Sequence, residues 1–146
     1  MPKFVATHDS ALSPTTAWER ITDWVRHAEF VPFTTISIPT GGPNRVGTVF
    51  LARTGIGRFG FDDPMEVVEW SAPHDGQPGR CRLVKRGSVM TGWAELVVEP
   101  SPLGSRTTWT EDITVAKLPR FADGATLLSS RLLFTRVLRG VLGAEK

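Results

Sequence analysis

From residue 34 to residue 116 the sequence repeats one theme six times: an apolar or β-branched run, then a turn signal. The runs cover 34–38, 46–54, 65–70, 80–86, 91–98 and 107–116. Pro39 to Pro43, Gly55 to Gly57, Pro73 to Gly79, Gly87-Ser88 and Pro100 to Gly104 break them. Parallel neighbours would need crossover helices between these runs, and none of the connections reads as one, so the pattern predicts an antiparallel meander. The last run alternates cleanly. Thr107, Trp109, Glu111, Ile113 and Val115 fall on one face, and Thr108, Thr110, Asp112 and Thr114 on the other.

The flanks supply what covers that sheet. Residues 3–9 read as a first strand. Ser13-Pro14 is a helix start, with Ser as the cap and Pro at a position whose N–H would be unpaired anyway. Trp18, Ile21 and Val25, with Ala17 and Trp24 beside them, give residues 15–24 a helical stripe; a short second helical turn around 26–29 ends at Phe30-Val31-Pro32. After Pro119 and Gly124, residues 125–142 carry Leu127, Leu128, Phe134, Val137, Leu138, Val141 and Leu142 at helical spacing. Such a helix is roughly 27 Å long, enough to cross a small domain. The expected fold is α+β: a curved seven-stranded antiparallel sheet wrapped around a long C-terminal helix, with two short helices after strand 1, forming one domain over residues 1–146. A strongly twisted sheet cannot touch a straight helix along its whole length, so an internal, mostly apolar cavity of roughly 300–1,000 Å³ is expected between them.

Composition narrows the function classes. Charged residues make up 22% of the chain, the formal net charge is +2, and no run of five like charges occurs, so no nucleic-acid partner is expected. Cys81 is the single cysteine, which excludes an intrachain disulfide. The opening Met1-Pro2-Lys3-Phe4 leads into polar residues rather than an apolar signal core, which makes a cytoplasmic location the expectation.

The segment from Leu12 to Trp24, with Ser13, Pro14, Trp18, Ile21 and Asp23, followed by Phe30-Val31-Pro32, resembles the opening of the helix-grip superfamily. That superfamily includes START lipid-transfer domains, birch-pollen-type allergens and bacterial polyketide cyclase/dehydrase-like (SRPBCC) proteins. Residues 65–70 with Ala72-Pro73, and Trp109-Thr110-Glu111, are similar to its later strands. The resemblance spans essentially the whole chain. It implies a pocket for a small apolar or amphipathic molecule, and it carries no universal catalytic set.

Other motifs are weaker. Gly55-Ile56-Gly57-Arg58-Phe59-Gly60 matches G-x-G-x-x-G, but another strand follows rather than a helix whose N-terminus would hold a pyrophosphate; a Gly-rich turn at the pocket mouth fits better. His8, His27 and His74 lack ligand spacing, there is no CxxC and no G-x-S-x-G, and neither a metal nor a cofactor is expected. Two charges stand out. Glu111 shares its face with Trp109 and Ile113, and Arg131 lies inside the apolar stripe of the last helix. A charge aimed at a core is costly unless paired or beside a cavity. The bland alternative puts Glu111 at a sheet rim and lets Arg131 extend its head to water. Arg53 and Lys85, each flanked by apolar residues, are further candidates of the same kind.

The expected ligand site therefore comprises Phe50, Arg53, Val67, Leu83, Lys85, Trp109 and Glu111 from the sheet, and Leu127, Leu128, Arg131 and Phe134 from the helix. Glu111 and Arg131 are expected to pair, directly or through water, and to orient the polar end of an anionic or carbonyl-bearing ligand. The leading functional reading is a carrier of a lipid, polyketide or aromatic metabolite. A cyclase/dehydratase-type enzyme using the same pocket is the alternative, which leaves catalysis open. The third reading is an interaction or membrane-surface module, since Arg131, Arg136 and Arg139 lie beside an apolar helical face. Burial of that face in the sheet explains it equally well, so membrane contact is not expected. Homo-oligomerisation is left open.

Overall fold

The computed structural model describes residues 3–31, 33–56, 59–88, 90–115 and 123–143; the side chains of Phe59, Val115 and residues 123–131 lie outside that description. The elements run β1 (Lys3–Ser10), α1 (Pro14–Ile21), α2 (Trp24–His27), a 3-10 turn (Ala28–Phe30), β2 (Thr34–Ser37), β3 (Val49–Ile56), β4 (Phe59–Ser71), β5 (Gly79–Arg86), β6 (Met90–Pro100), β7 (Ser105–Val115) and α3 (Asp123–Gly143). The seven strands form one antiparallel sheet in the order β1-β7-β6-β5-β4-β3-β2. The first two strands are thus its two edges, and α1 and α2 connect them. This is the expected helix-grip arrangement, a curved half-barrel against the C-terminal helix. Among the described residues no helix is long and apolar enough to cross a membrane.

Local chemistry explains the boundaries. Ser13 caps α1 by accepting from Thr16 N at 3.2 Å, with Pro14 as the first helical residue. Two short helices follow β1 as expected, but the first, expected over 15–24, ends at Ile21. The Thr22 hydroxyl donates back to the Trp18 carbonyl at 2.7 Å, a bond that competes with the next helical turn, and α2 restarts after Asp23. The new direction buries Trp24 and leaves Val25 exposed, so Val25 does not join the stripe. β4 is longer than its expected 65–70 because Pro64 does not end it. Pro64 pairs with Leu51 on one side, whereas β5 joins β4 only from Met65 onward, so its missing N–H costs the sheet no bond there. Residues 46–48, expected to open β3, instead form a turn before it, with Gly47 at φ +97° and its N–H on the Val67 carbonyl.

Gly92 lets β6 bend into the curl. Its φ is +133°, and an added Cβ would run into the Asp112 carbonyl of β7. A second close approach fixes α3: a Cβ on Gly140 would fall within the Phe30 ring.

The concave face has two unlike ends. At the filled end Val67, Cys81, Leu83, Leu96 and Val98 are completely buried and pack with Trp18 and Ile21 of α1. Trp18 lies against Trp70, with ring centroids 4.9 Å apart. α3 closes the interior with Val137, Leu138, Val141 and Leu142, all buried. At the open end the same sheet presents Thr54, Phe61, Asp63, Met65, Lys85, Met90 and Ile113 to a space rather than to a packed layer.

Candidate functional site

The pleat decides what reaches that space. Trp109, Glu111 and Ile113 alternate inward along β7, Phe61, Asp63 and Met65 along β4, and Phe50, Ala52 and Thr54 along β3. Together with Lys85, Met90, His27 and Val31, and with Leu133, Phe134 and Val137 of α3, the described residues enclose about 220 Å³. That is smaller than expected, because aromatic stacks fill much of the interior. Trp24 lies on Phe50 at 4.5 Å, and Phe134 stacks on both Trp109 at 4.8 Å and Phe4 at 5.5 Å. A larger concavity of about 500 Å³ lies between α1 and the 38–44 loop, but it is an open surface groove, and none of its lining residues carries an unpartnered buried polar atom.

One pole of the inner cavity is charged. Lys85 Nζ donates to Asp63 Oδ2 at 2.8 Å and to Met65 Sδ at 3.5 Å, and stands 4.0 Å from Glu111 Oε2. Trp109 Nε1 donates to Glu111 Oε1 at 3.1 Å. Glu111 is 1% exposed and Lys85 5%. Glu111 Oε2 and Asp63 Oδ1 are buried and accept no hydrogen bond from the described residues.

The two partners respond to burial differently. Burial pulls the Lys85 ammonium down, but Glu111 and Asp63 more than offset that, and it stays protonated with a pKa above the ordinary lysine value. Burial pushes the Glu111 carboxyl above the usual carboxylate range, against Lys85 and the Trp109 hydrogen bond. The contact distances explain the asymmetry, since Asp63 takes the close bond from Lys85 and Glu111 the longer, purely Coulombic one. Lys85 is thus a fixed cation rather than a nucleophile or base, and Glu111 is the group able to exchange a proton.

His27 was not among the expected site residues, yet it lines the cavity. Its Nε2–H donates to the Ile21 carbonyl at 2.7 Å, which makes Nδ1 the acceptor nitrogen. Burial holds its pKa down at about 4, so it is neutral at pH 7. Cys81 is buried among apolar side chains and its thiol is pushed up to about 12, which leaves it inert.

The structure brings Phe50, Lys85, Trp109, Glu111 and Phe134 to the cavity. Val67 and Leu83 lie on the concave face but at its filled end, packed in the core. Arg53 points the other way. It is exposed on the convex side and pairs with Asp62 at 3.0 Å, because Ala52 and Thr54 on either side of it take the inward positions. Leu127, Leu128 and Arg131 fall on α3, but their side chains lie outside the described residues, as does the expected Glu111–Arg131 pair. The Gly-rich segment is a hairpin beside the cavity: Gly55 pairs with Gly60 and Ile56 with Phe59, while residues 57–58 lie outside the description.

The sequence pattern of the family described as polyketide cyclase / dehydrase and lipid transport matches residues 1–143. The chain belongs to that family. It is a helix-grip, SRPBCC-type member, and its fold is similar to solved structures of low sequence identity. TTHA0849 from Thermus thermophilus is 14% identical, with 99% of this chain and 100% of that one covered and a TM-score of 0.72. The Zhui aromatase/cyclase from Streptomyces sp. R1128 is 13% identical, with 97% and 91% covered and a TM-score of 0.65. Ara h 8.0201 is 14% identical, with 97% of both chains covered and a TM-score of 0.61. At such identities the likeness is one of fold. No curated protein matches the sequence.

Proposed function

We propose that this family member binds one small molecule in the inner cavity, apolar over most of its surface, with a polar end against Lys85, Asp63 and Glu111. Leu127 and Leu128 complete the wall from α3 in this reading. The observation that carries it is the Glu111 carboxylate, 1% exposed and with Oε2 accepting no hydrogen bond from the described residues, facing a space lined mostly by aromatic and aliphatic side chains. Buried polar atoms are nearly always hydrogen-bonded, and an exception beside a cavity is what a ligand's polar group would satisfy.

Size limits the ligand. A cavity of about 150 Å³ accommodates benzene. At about 220 Å³ this one takes a single substituted ring or a short acyl chain, and a multi-ring polyketide exceeds it. Native mass spectrometry of the purified protein checks for a retained compound of that size. Independently, a ligand at a hundred times its Kd should stabilise the fold by about 2.7 kcal/mol in urea titrations. Failure of every one-ring or short-chain compound to bind removes the reading.

The raised pKa of Glu111 beside a fixed ammonium supports a second reading, in which Glu111 moves a proton on the bound molecule while Lys85 stabilises developing negative charge. Turnover that vanishes in Glu111→Gln while ligand affinity is kept would favour it. The membrane-surface reading has less support, because Val137, Leu138, Val141 and Leu142 are buried in the core.

A further inference from the structure

The charged pole of the cavity has acceptors to offer and few donors. An ammonium has three N–H bonds. Lys85 directs one to Asp63 Oδ2 and one to Met65 Sδ, and its remaining side faces Glu111. The Trp109 N–H goes to Glu111 Oε1, and the His27 Nε2–H to the Ile21 carbonyl. The Thr34 and Thr54 hydroxyls bond each other at 2.9 Å. What the described residues leave unused is Glu111 Oε2 and Asp63 Oδ1, both carboxylate oxygens, both buried. Two carboxyl groups face one ammonium, and neutral His27 adds no charge.

We infer that the head of the cavity's ligand is a hydrogen-bond-donating cation, a primary or secondary ammonium on a one-ring or short-chain body, and that carboxylates are rejected. This rests on the cavity being a binding site, and it reverses the anionic or carbonyl head expected with Arg131 as the anchor. An ammonium seated between Glu111 Oε2 and Asp63 Oδ1 gives each oxygen a charge-assisted bond and balances the pole two against two. A carboxylate head would bring a third negative charge against two buried carboxylate oxygens, with only the one Lys85 N–H that faces Glu111 left to receive it. The one competing chemistry is a carbonyl accepting from a protonated Glu111, and it belongs in the test.

The probes are five one-ring compounds of nearly equal size, titrated calorimetrically at neutral pH into the unmodified protein: toluene, benzyl alcohol, acetophenone, benzoate and benzylamine. Benzylamine is expected to bind about ten- to a hundredfold more tightly than toluene, the worth of a hydrogen bond to a charged group, with benzoate weakest. In Glu111→Gln the amine should fall to within about threefold of benzyl alcohol. If no probe binds, toluene included, the binding-site reading itself fails. If toluene binds but acetophenone or benzoate matches or exceeds benzylamine, the cavity stands and the cationic head is overturned. An amine preference that survives intact in Glu111→Gln overturns it too. Should that variant not fold, the five-compound ranking and Asp63→Asn, expected to cut amine affinity alone, decide the matter.

Discussion

The filled and open ends of the concave face are built from the same strands, two residues apart. Leu83 and Lys85 are neighbours on one face of β5; one is completely buried in aliphatic packing, the other buried in a charge cluster. Val67 and Met65 stand in the same relation on β4, as do Thr107 and Trp109 on β7. The filled end is held by contact density, which is lost whenever atoms are removed. The open end is held by a few directed polar bonds around a space, where removing atoms enlarges a gap already present. The difference separates what makes the chain fold from what makes it selective.

Removing Lys85 should be the most damaging change at the open end. Lys85→Met leaves Asp63 and Glu111 buried with no cation between them, and loss of one partner of a buried ion pair costs about 3–5 kcal/mol. Replacing Lys85, Asp63 and Glu111 together by Met, Leu and Leu should recover most of that. Urea denaturation of both variants checks it, and a single variant as stable as the parent would mean that the pole is not an ionic cluster. Leu83→Ala at the filled end should cost about 2–5 kcal/mol. Met65→Ala facing the cavity should cost distinctly less, since one side of Met65 has no packed layer to lose; equal costs in the same assay would erase the distinction between the ends.

His27 gives the comparison a pH dependence. Its folded pKa of about 4 lies below the unfolded 6.5, so the folded chain binds fewer protons between those values, and stability falls as pH drops through that window. The contribution lost by pH 4 is about 3 kcal/mol. Glu111 acts in the opposite sense: its raised pKa costs stability as pH rises above the ordinary carboxylate value. The His27 contribution is therefore read as the stability gap between parent and His27→Gln, which should narrow between pH 7 and pH 4; a constant gap rules it out. On the convex side Arg53→Ala should change stability by less than about 1 kcal/mol, because its pair with Asp62 is half exposed to solvent. Thermal unfolding at low and high salt measures that smallest effect.

Most of this architecture was readable in the sequence because β7 alternates without a break, so the placement of Trp109, Glu111 and Ile113 followed from the pleat alone. The site was readable in part. Phe50 and Arg53 are three residues apart on one strand and cannot share a face, and that odd spacing already contradicted Arg53 as a lining residue. Asp63 was missed because Pro64 reads as a terminator; only the late start of β5 makes the proline harmless, and that is a property of sheet register rather than of local sequence. His27 was missed because the turn at Thr22 redirects the chain, which a continuous helical stripe conceals. The cavity volume depends on how aromatic rings stack across three elements, and no local pattern encodes that.

The Phe30 ring occupying the place of a Gly140 side chain has an evolutionary consequence. It keys the rotation and the longitudinal setting of α3, since a shift by one residue would bring Arg139 or Val141 onto the ring. A lineage that gained or lost a residue within α3 ahead of Gly140 would be unable to absorb the change by letting the helix slide. The length difference would have to be taken up in the segment between β7 and α3, so related chains should vary in length there while keeping the count from the glycine to the C-terminal end of α3 unchanged.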